Sequence, residues 1–365
     1  MALARAVSVA LVGVVGHLVE VEADLAQGLP GLAIVGLPDT ALLEARDRVR
    51  AAVVNSGQAW PSKRITLGLS PATLPKHGSG FDLAMAAAIL AAAGVAPAAA
   101  LQDRAVIGEL GLDGRVRAVR GALPAAVAAG RAGLRGIVVP TDNMREAALV
   151  PGLAVDGVQS LSALVAWMRG EPSATDIVSG VPVEAASTAD WPDLADVVAQ
   201  EVGRIAIEVA AAGGHHLFLL GPPGAGKTML AERLPGILPP LDIEAALEVT
   251  AVHSVAGVLP PSAPLIDRPP YQAPHHTASV AALVGGGSGL ARPGALSLAH
   301  RGVLFLDEAP EFPHGVLDAL RQPLERGEIV LARSGGAVRY PSRVQLVMAA
   351  NPCPCASPQG DQACT

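Results

Sequence analysis

The chain opens on apolar runs and alternating positions. Ser8–Val15 is a continuous apolar run, Leu18–Ala23 alternates apolar with polar and acidic residues, and Gly31–Val35 is a third short apolar stretch. Residues 1–35 are therefore predicted to be strands. The period changes after Asp39. Leu42, Ala45, Val49, Ala52 and Val53 share one helical face between a capping aspartate and Gly57, which predicts a helix through Ser56. Arg64–Leu69 reads as strand, and Asp82 to about Ala93 as an alanine-rich helix. Ala105–Leu110 and Arg115–Val119 flank Asp113-Gly114, a strong hairpin signal. Helix, strand and helix follow at Pro124–Ala132, Gly136–Val139 and Thr141–Leu149, and a last helix covers Ser162–Arg169.

Residues 170–190 are small and polar and read as a linker. Beyond Trp191 the pattern resumes. Asp196–Ala212 is an amphipathic helix stopped by Gly213-Gly214, and Leu217–Leu220 is an apolar run. A helix is predicted up to Leu234, where Pro235 ends it, and another over Asp242–Val255. Residues 257–300 are rich in Gly, Pro and His and show little regular pattern beyond Ala278–Val284. A connection of that length inside a compact domain is usually functional. A buried strand ends at Leu306. Glu311–Glu325 is a helix with Leu317, Leu320 and Leu324 inward, Glu328–Leu331 and Ala337–Tyr340 form a hairpin around Ser334-Gly335-Gly336, and Arg343–Ala349 is a further buried strand. The expected organisation is an α/β domain over 1–169, a linker over 170–190, and a second domain over 191–365.

Composition narrows the picture. A hydrophobic content of 51% over 365 residues is ample for two or three cores, but aromatics are only 2%, so those cores must be built from Ala, Val and Leu. The net charge of −7 argues against a generally basic nucleic-acid surface and leaves room for a local basic loop or pore. No apolar run is long and charge-free enough to predict a membrane span. Ala6–Val15 follows Arg5 as a signal peptide does, but no small-residue cleavage site comes after it, so it is read as strand. The three cysteines crowd into the last thirteen residues and give no disulfide framework. Beside the nucleotide motif below, this points to the cytoplasm.

Candidate chemistry begins where Leu217–Leu220 runs into Gly221-Pro222-Pro223-Gly224-Ala225-Gly226-Lys227-Thr228. This is G-x-x-x-x-G-K-[ST] in full. Glycines let the backbone wind so that several N–H groups face phosphate oxygens, Lys227 supplies a point charge to the β- and γ-phosphates, and Thr228 offers a hydroxyl to Mg²⁺. The following helix turns its positive end to the same place. Only about 0.003 such matches are expected by chance at this composition, and lysine occurs only at 63, 76 and 227, so an incidental turn is set aside. The second motif is Gly302-Val-Leu-Phe-Leu-Asp-Glu308. Alone, two carboxylates at a strand end read equally as a solvated terminus. Following a phosphate loop, Asp307 is read as holding Mg²⁺ through water and Glu308 as polarising the attacking water. Asn351, at the exit of the last strand, is read as a γ-phosphate sensor or water-orienting amide, with a plain turn before Pro352 as the alternative.

With these residues in view, the chain resembles the Mg-chelatase-type AAA+ ATPases, specifically their ComM/YifB-like branch. The strings that carry the resemblance are Val35-Gly-Leu-Pro-Asp-Thr40, Arg46-Asp-Arg-Val-Arg-Ala-Ala52, Ile65–Leu74 and Lys76-His-Gly-Ser-Gly-Phe-Asp-Leu83 in the first domain. In the second they are Gly221–Thr228, Ala273-Pro-His-His-Thr-Ala-Ser279, Ser297–Glu308, Leu320-Arg-Gln-Pro-Leu-Glu-Arg-Gly327 and Asn351-Pro-Cys-Pro-Cys355. The resemblance implies an N-terminal α+β domain like ribosomal protein S5 and the proteolytic domain of Lon, followed by a P-loop AAA+ αβα core lacking its lid. It implies ATP and Mg²⁺ as ligands, a homo-hexameric ring, and translocation on DNA through a central pore during recombination of incoming strands. Residues 257–300 correspond to the helix-2 insert and 328–340 to the pre-sensor hairpin, with Arg292, Arg333 and Arg339 as candidate pore charges. In the Lon-like loop Gly80 stands in the place of the nucleophilic serine, Ser79 is one position off, and Gly121–Ala126 lacks the partner lysine. A non-proteolytic relative is expected, with His77 and Ser79 as loop residues.

Three departures matter. Gln272 stands where the family has Arg, and Pro293-Gly294-Ala295 where it has Pro-Gly-Glu. The family also continues past Asn-Pro-Cys-Pro-Cys into a second cysteine pair, an arginine-bearing segment and a helical lid, so the chain is expected to be C-terminally truncated. Nucleotide binding is then expected to be kept but weakened, turnover to be poor, and the homo-hexameric ring to need the full length. Cys353, Cys355 and Cys364 resemble three ligands of a small Zn²⁺ site whose fourth is missing. Alternative readings are a metal-chelatase motor subunit, which the ATP motifs cannot distinguish but the S5-like domain disfavours, and a nucleotide-binding assembly module without turnover. A protease is the weakest of them.

Overall fold

A computed structural model describes residues 2–36, 39–171, 176–177, 192–260, 264–287, 291–333 and 336–352. The chain divides into two compact units, Met1–Glu184 with Gly257–Pro264, and Ala185–Ala256 with Leu265–Thr365.

Alternation of small apolar residues with polar ones sets the first unit. Strands β1 (Ala2–Val12) and β2 (Val15–Ala26) form a long antiparallel hairpin, turned at Gly13 with φ 64°. Around it are β3 (Gly31–Val35), α1 (Thr40–Asn55), β4 (Arg64–Ser70), α2 (Asp82–Ala92), β5 (Arg104–Val106), the short pair β6 (Glu109–Leu110) and β7 (Val116–Arg117), α3 (Ala122–Arg131), β8 (Gly136–Pro140), α4 (Met144–Ala147), β9 (Ala154–Val158), α5 (Leu161–Met168) and β10 (Asp176–Ile177). The eight-stranded sheet runs β10-β9-β8-β5-β1-β2-β4-β3. One core gathers Leu42 and Val49 of α1, Leu83, Met85 and Ile89 of α2, and Leu161 and Leu164 of α5. A second gathers Ala122, Ala126 and Ala129 of α3 with Met144 and Ala147 of α4. With few aromatic rings to fill space, close approach does the packing: Asp82 through Leu90 are all buried in α2.

Asp39 caps α1 by accepting from the Leu42 N–H at 2.8 Å. Asp82, wholly buried at the start of α2, receives Arg48 through Nε at 2.8 Å and Nη2 at 3.1 Å, and the Leu110 N–H at 3.3 Å. Burial pushes the Asp82 carboxyl up to about 6, against the opposing pull of Arg48. The predicted strand 105–110 is two strands, because Gly108 lies against α2. Its N–H donates to the Gly80 carbonyl at 2.9 Å, and a Cβ there would sit 2.9 Å from Leu83 Cδ2.

The second unit contains α6 (Glu201–Gly213), β11 (Leu217–Leu220), α7 (Lys227–Ile237), α8 (Ile243–Ala256), β12 (Tyr271–Gln272), α9 (Val280–Val284), β13 (Gly285–Gly286), β14 (Arg292–Pro293), α10 (Ala295–Leu298), β15 (Val303–Leu306), α11 (His314–Arg326), β16 (Glu328–Arg333), β17 (Gly336–Pro341) and β18 (Gln345–Ala350). Its sheet, β11-β18-β15-β12, is parallel throughout. Leu230 and Leu234 of α7 and Ile207 of α6 pack with Val303, Phe305, Val347 and Ala349 of the strands. This is a mixed α/β unit with a parallel sheet.

Several expectations are corrected here. The amphipathic helix starts at Glu201, not Asp196, because Ala199 and Gln200 both take the left-handed conformation with φ 59°. Pro235 does not stop α7. It costs one main-chain bond near the end, and the helix runs to Ile237, where the Leu238 N–H closes on the Pro235 carbonyl. In α11 the fully buried positions are Val316, Leu320 and Pro323, with Leu317 and Leu324 half-buried. The stretch 257–300 is more regular than its composition suggests: β12 joins the sheet edge, α9 and α10 are short helices, and β13 pairs with β14. Among the described residues no helix is long and apolar enough to cross a membrane.

Candidate functional site

Three neighbouring parallel strands deliver the chemistry from their C-terminal ends. Leu220 of β11 pairs with Ala350 of β18, and Leu306 of β15 with Met348. The residues that follow each strand therefore emerge together: the glycine-rich loop after β11, Asp307 and Glu308 after β15, and Asn351 after β18. A cleft of about 400 Å³ opens among them, lined by the loop from Pro223 to Met229 with Asp307, Glu308, Ala350 and Asn351.

Local sequence explains the loop. The Gly221 N–H prolongs the ladder by donating to the Ala350 carbonyl at 3.2 Å, and the Ala225 N–H turns back to the Pro222 carbonyl at 3.2 Å. Gly224 and Gly226 then take φ 77° and 78°, which a side chain would strain. Gly226 sits at the N-cap of α7, so the helix start, with its unpaired N–H groups, faces the cleft.

Lys227 uses all three ammonium hydrogens. Nζ donates to the Gly221 carbonyl at 2.8 Å, the Pro222 carbonyl at 3.0 Å and Asn351 Oδ1 at 2.9 Å. Thr228 Oγ1 donates to Asp307 Oδ2 at 2.7 Å, and Asp307 Oδ1 accepts the Glu308 N–H at 2.9 Å. Glu308 holds a left-handed backbone, φ 51° and ψ 44°, at the head of a 3₁₀ turn over Ala309–Glu311. Its Oε2 lies 3.1 Å from His276 Nδ1. Beneath the site, Tyr271 stacks on Phe305 with ring centres 6.3 Å apart, and burial raises its hydroxyl pKa above the usual value.

The structure thus brings two bonded pairs, Lys227 with Asn351 and Thr228 with Asp307, to one cleft, with Glu308 on its wall. Cys353, Cys355 and Cys364 lie outside the described residues, among which no group of His, Cys, Asp and Glu is arranged to hold a metal. Of the candidate pore arginines, Arg339 pairs with Glu328 at 2.5 Å, Arg292 is exposed, and the Arg333 side chain lies outside the description. In the first unit, Ser79 Oγ donates to Glu109, His77 Nδ1 lies 3.3 Å from Asp39 Oδ2, and Lys76 is fully buried with Nζ donating to the Leu69 and Pro71 carbonyls. Burial lowers the pKa of that lysine.

Sequence reasoning missed two residues at the site. Gln200 reaches the loop, Nε2 donating to the Ala225 carbonyl at 3.0 Å. Its signal is faint, since only the left-handed backbone at 199–200 separates it from an ordinary helical glutamine. His276 belongs to the Ala273–Ser279 string, and nothing in its spacing points to Glu308.

A glycine-rich loop between a parallel strand and a helix, with Thr228, Asp307 and Lys227 gathered at its mouth, defines a P-loop core of AAA+ type. Family models agree. Residues 193–365 match magnesium chelatase, subunit ChlI, and residues 21–143 match subunit ChlI of Mg-chelatase. An uncharacterized protein of Mycobacterium tuberculosis is 59% identical over 364 residues, spanning 100% of this chain and 72% of the relative. The uncharacterized protein YifB of Escherichia coli is 46% identical over 352 residues, 96% of this chain and 68% of the relative. Competence protein ComM of Haemophilus influenzae is 45% identical over 357 residues, 97% and 69% respectively. The chain belongs to the ComM/YifB-like, Mg-chelatase-type family.

Proposed function

We propose that this chain is an ATP-hydrolysing subunit of a ring-shaped AAA+ motor that acts on DNA. The observation that carries the reading is the convergence of two hydrogen-bonded pairs, Lys227 with Asn351 and Thr228 with Asp307, on the cleft at the mouth of the phosphate loop. Loop N–H groups and the Lys227 ammonium receive the phosphates of ATP. Thr228 Oγ1 and Asp307 Oδ2, two oxygens side by side, suit a hard divalent cation, so these two residues would hold Mg²⁺. When bound, the ion neutralises charge building on the phosphates. Glu308 accepts a proton from the attacking water, and Asn351 ties the end of β18 to Lys227 so that loss of the γ-phosphate is felt there.

The first unit is proposed to be an S5-like, Lon-like domain without proteolytic chemistry. Ser79 is engaged by Glu109 and Lys76 is buried on carbonyls, which supports that reading. The proposed divisions are 1–169, 170–190 and 191–365. A homo-hexamer, a cytoplasmic location and passage of DNA through a central pore are proposed on the family resemblance. A metal-chelatase motor is the second reading, favoured by the descriptions of the matching family models. ATP turnover measured with and without single-stranded and branched DNA separates the two. Stimulation of several-fold by DNA supports the DNA motor, and turnover indifferent to every DNA tested rejects it.

A further inference from the structure

The sheet of the second unit has another opening, at the end away from the phosphate loop. A cavity of about 610 Å³ lies there and shares no lining residue with the cleft. Gly302, just before β15, and Gln345, the first residue of β18, are on its wall. The same strands run on to Asp307 and Asn351, so the two openings are a strand length apart, about 13–20 Å at about 3.3 Å per residue.

Arginines from three places in the chain line this cavity: Arg301 before β15, Arg326 at the end of α11 and Arg343 before β18. Arg301 and Arg343 are clamped together by their main chains. The Arg301 N–H donates to the Arg343 carbonyl at 2.7 Å, and the Arg343 N–H donates to Nδ1 of the buried His300 at 3.1 Å. Arg301 takes φ 61°, a left-handed backbone that a long side chain keeps only where its surroundings hold it. Gly327 makes room for Arg343, since a Cβ there would sit 2.9 Å from Arg343 Cγ. The Arg343 side chain therefore lies against the residue that follows Arg326.

The positive charge on this wall is only partly answered. Arg301 holds Glu248 through Nε at 3.2 Å and Nη2 at 2.9 Å. The side chains of Arg326 and Arg343 make no hydrogen bond or ion pair among the described residues. Of the two carboxylates on the wall, Asp242 is engaged in capping α8, its Oδ1 accepting the Ala245 N–H at 2.8 Å, which leaves Glu325. Guanidinium forks match phosphate oxygens in spacing and charge, and two of them suit the double charge of a monoester.

We propose that this cavity is a second phosphate site, separate from the ATP cleft, which takes a phosphate monoester on Arg326 and Arg343. A free nucleotide and the 5′-phosphorylated end of a nucleic-acid strand both carry that group. The site does not depend on what the cleft hydrolyses.

The test titrates inorganic pyrophosphate, without Mg²⁺, into the whole protein carrying Lys227→Ala, in which the cleft has lost its ammonium. Saturable one-to-one binding is expected by calorimetry. Adding Arg343→Gln or Arg326→Gln should each weaken Kd by about ten- to a hundredfold, the factor for hydrogen bonds to a charged group. Arg326 is exposed and touches no partner, so its variant keeps the test intact should Arg343→Gln disturb the start of β18. Arg131→Gln removes the same charge from an exposed arginine of α3 and should leave Kd unchanged. Competition identifies the source. Displacement of pyrophosphate by 5′-AMP assigns the site to a free monoester, and displacement only by a 5′-phosphorylated oligonucleotide assigns it to a strand end. Absence of saturable binding, a Kd that Arg326→Gln leaves unchanged, or equal weakening by Arg131→Gln overturns the proposal. So does competition that is blind to the terminal phosphate, with the 5′-hydroxyl strand as effective as the phosphorylated one, or displacement by neither monoester.

Discussion

Gln200 offers a way to measure how far a brace outside the phosphate motif holds the loop in its binding shape. Its Nε2 donates to the Ala225 carbonyl at 3.0 Å, while its own backbone holds φ 59° and ψ 36°. Two effects are superposed at this one residue and two substitutions separate them. Gln200→Ala deletes the hydrogen bond and keeps a side chain in the left-handed region. Gln200→Gly deletes the bond and relieves a backbone strain of about 1 kcal/mol. The bond is neutral and exposed, so its loss is worth about 0.5–1 kcal/mol, or about two- to fivefold in nucleotide affinity. Titration with a fluorescent ATP analogue should therefore show the same weakening in both variants, with kcat at saturation unchanged. Thermal melting should show the glycine variant at least as stable as the alanine variant. Equal affinity in parent and Gln200→Ala refutes the brace, and weakening confined to the glycine variant assigns the effect to loop entropy instead.

Three further outcomes are expected. Glu308→Gln should keep nucleotide binding and lower single-turnover hydrolysis by about 10²–10⁴-fold, the range for a general base, as followed by release of inorganic phosphate. Arg48→Ala leaves the buried Asp82 carboxylate with the Leu110 N–H alone and should cost about 3 kcal/mol at neutral pH by urea denaturation. The loss should shrink as the pH falls towards about 6, because without the opposing pull of Arg48 the Asp82 carboxyl takes up its proton at a higher pH than in the parent. His253 is buried, with Nε2 2.9 Å from the Leu298 carbonyl, and burial pushes its pKa below the ordinary 6.5. The unfolded chain therefore protonates first as pH falls, so the stability this group gives is present above about 6.5 and lost through the folded value. His253→Asn should flatten that fall in a melting series from about pH 7 to 5.

The legible part of this fold was the part written in period and punctuation. Asp39 before an apolar face and the run from Leu217 into Gly221–Thr228 carry their own geometry, and both elements stand where their pattern put them, while Asp113-Gly114 turns a hairpin shorter than expected, Glu109–Leu110 against Val116–Arg117. The illegible part depends on contacts between distant residues. Ala199 and Gln200 leave the helical region where Gln200 meets a loop carbonyl 25 positions away, so no window of local sequence contains the cause. Gly108 breaks a strand because α2 lies against it. Pro235 reads as a stop, yet near a helix end it forfeits little. Within the site, motif spacing named Lys227, Thr228, Asp307, Glu308 and Asn351 as candidates, since each follows a strand in a recognisable order. His276 reaches Glu308 from a glycine- and proline-rich stretch with no period to read.

The measurement closest to the central claim is ATP binding and cleavage followed together in the parent, Lys227→Ala and Glu308→Gln. Lys227 uses every hydrogen it has to join the loop to Asn351, and Glu308 stands on the wall of the same cleft. The account expects Mg²⁺-dependent cleavage in the parent, loss of both binding and cleavage in Lys227→Ala, and bound but uncleaved ATP in Glu308→Gln. ATP held as tightly by Lys227→Ala as by the parent, or cleaved as fast by Glu308→Gln, would contradict it.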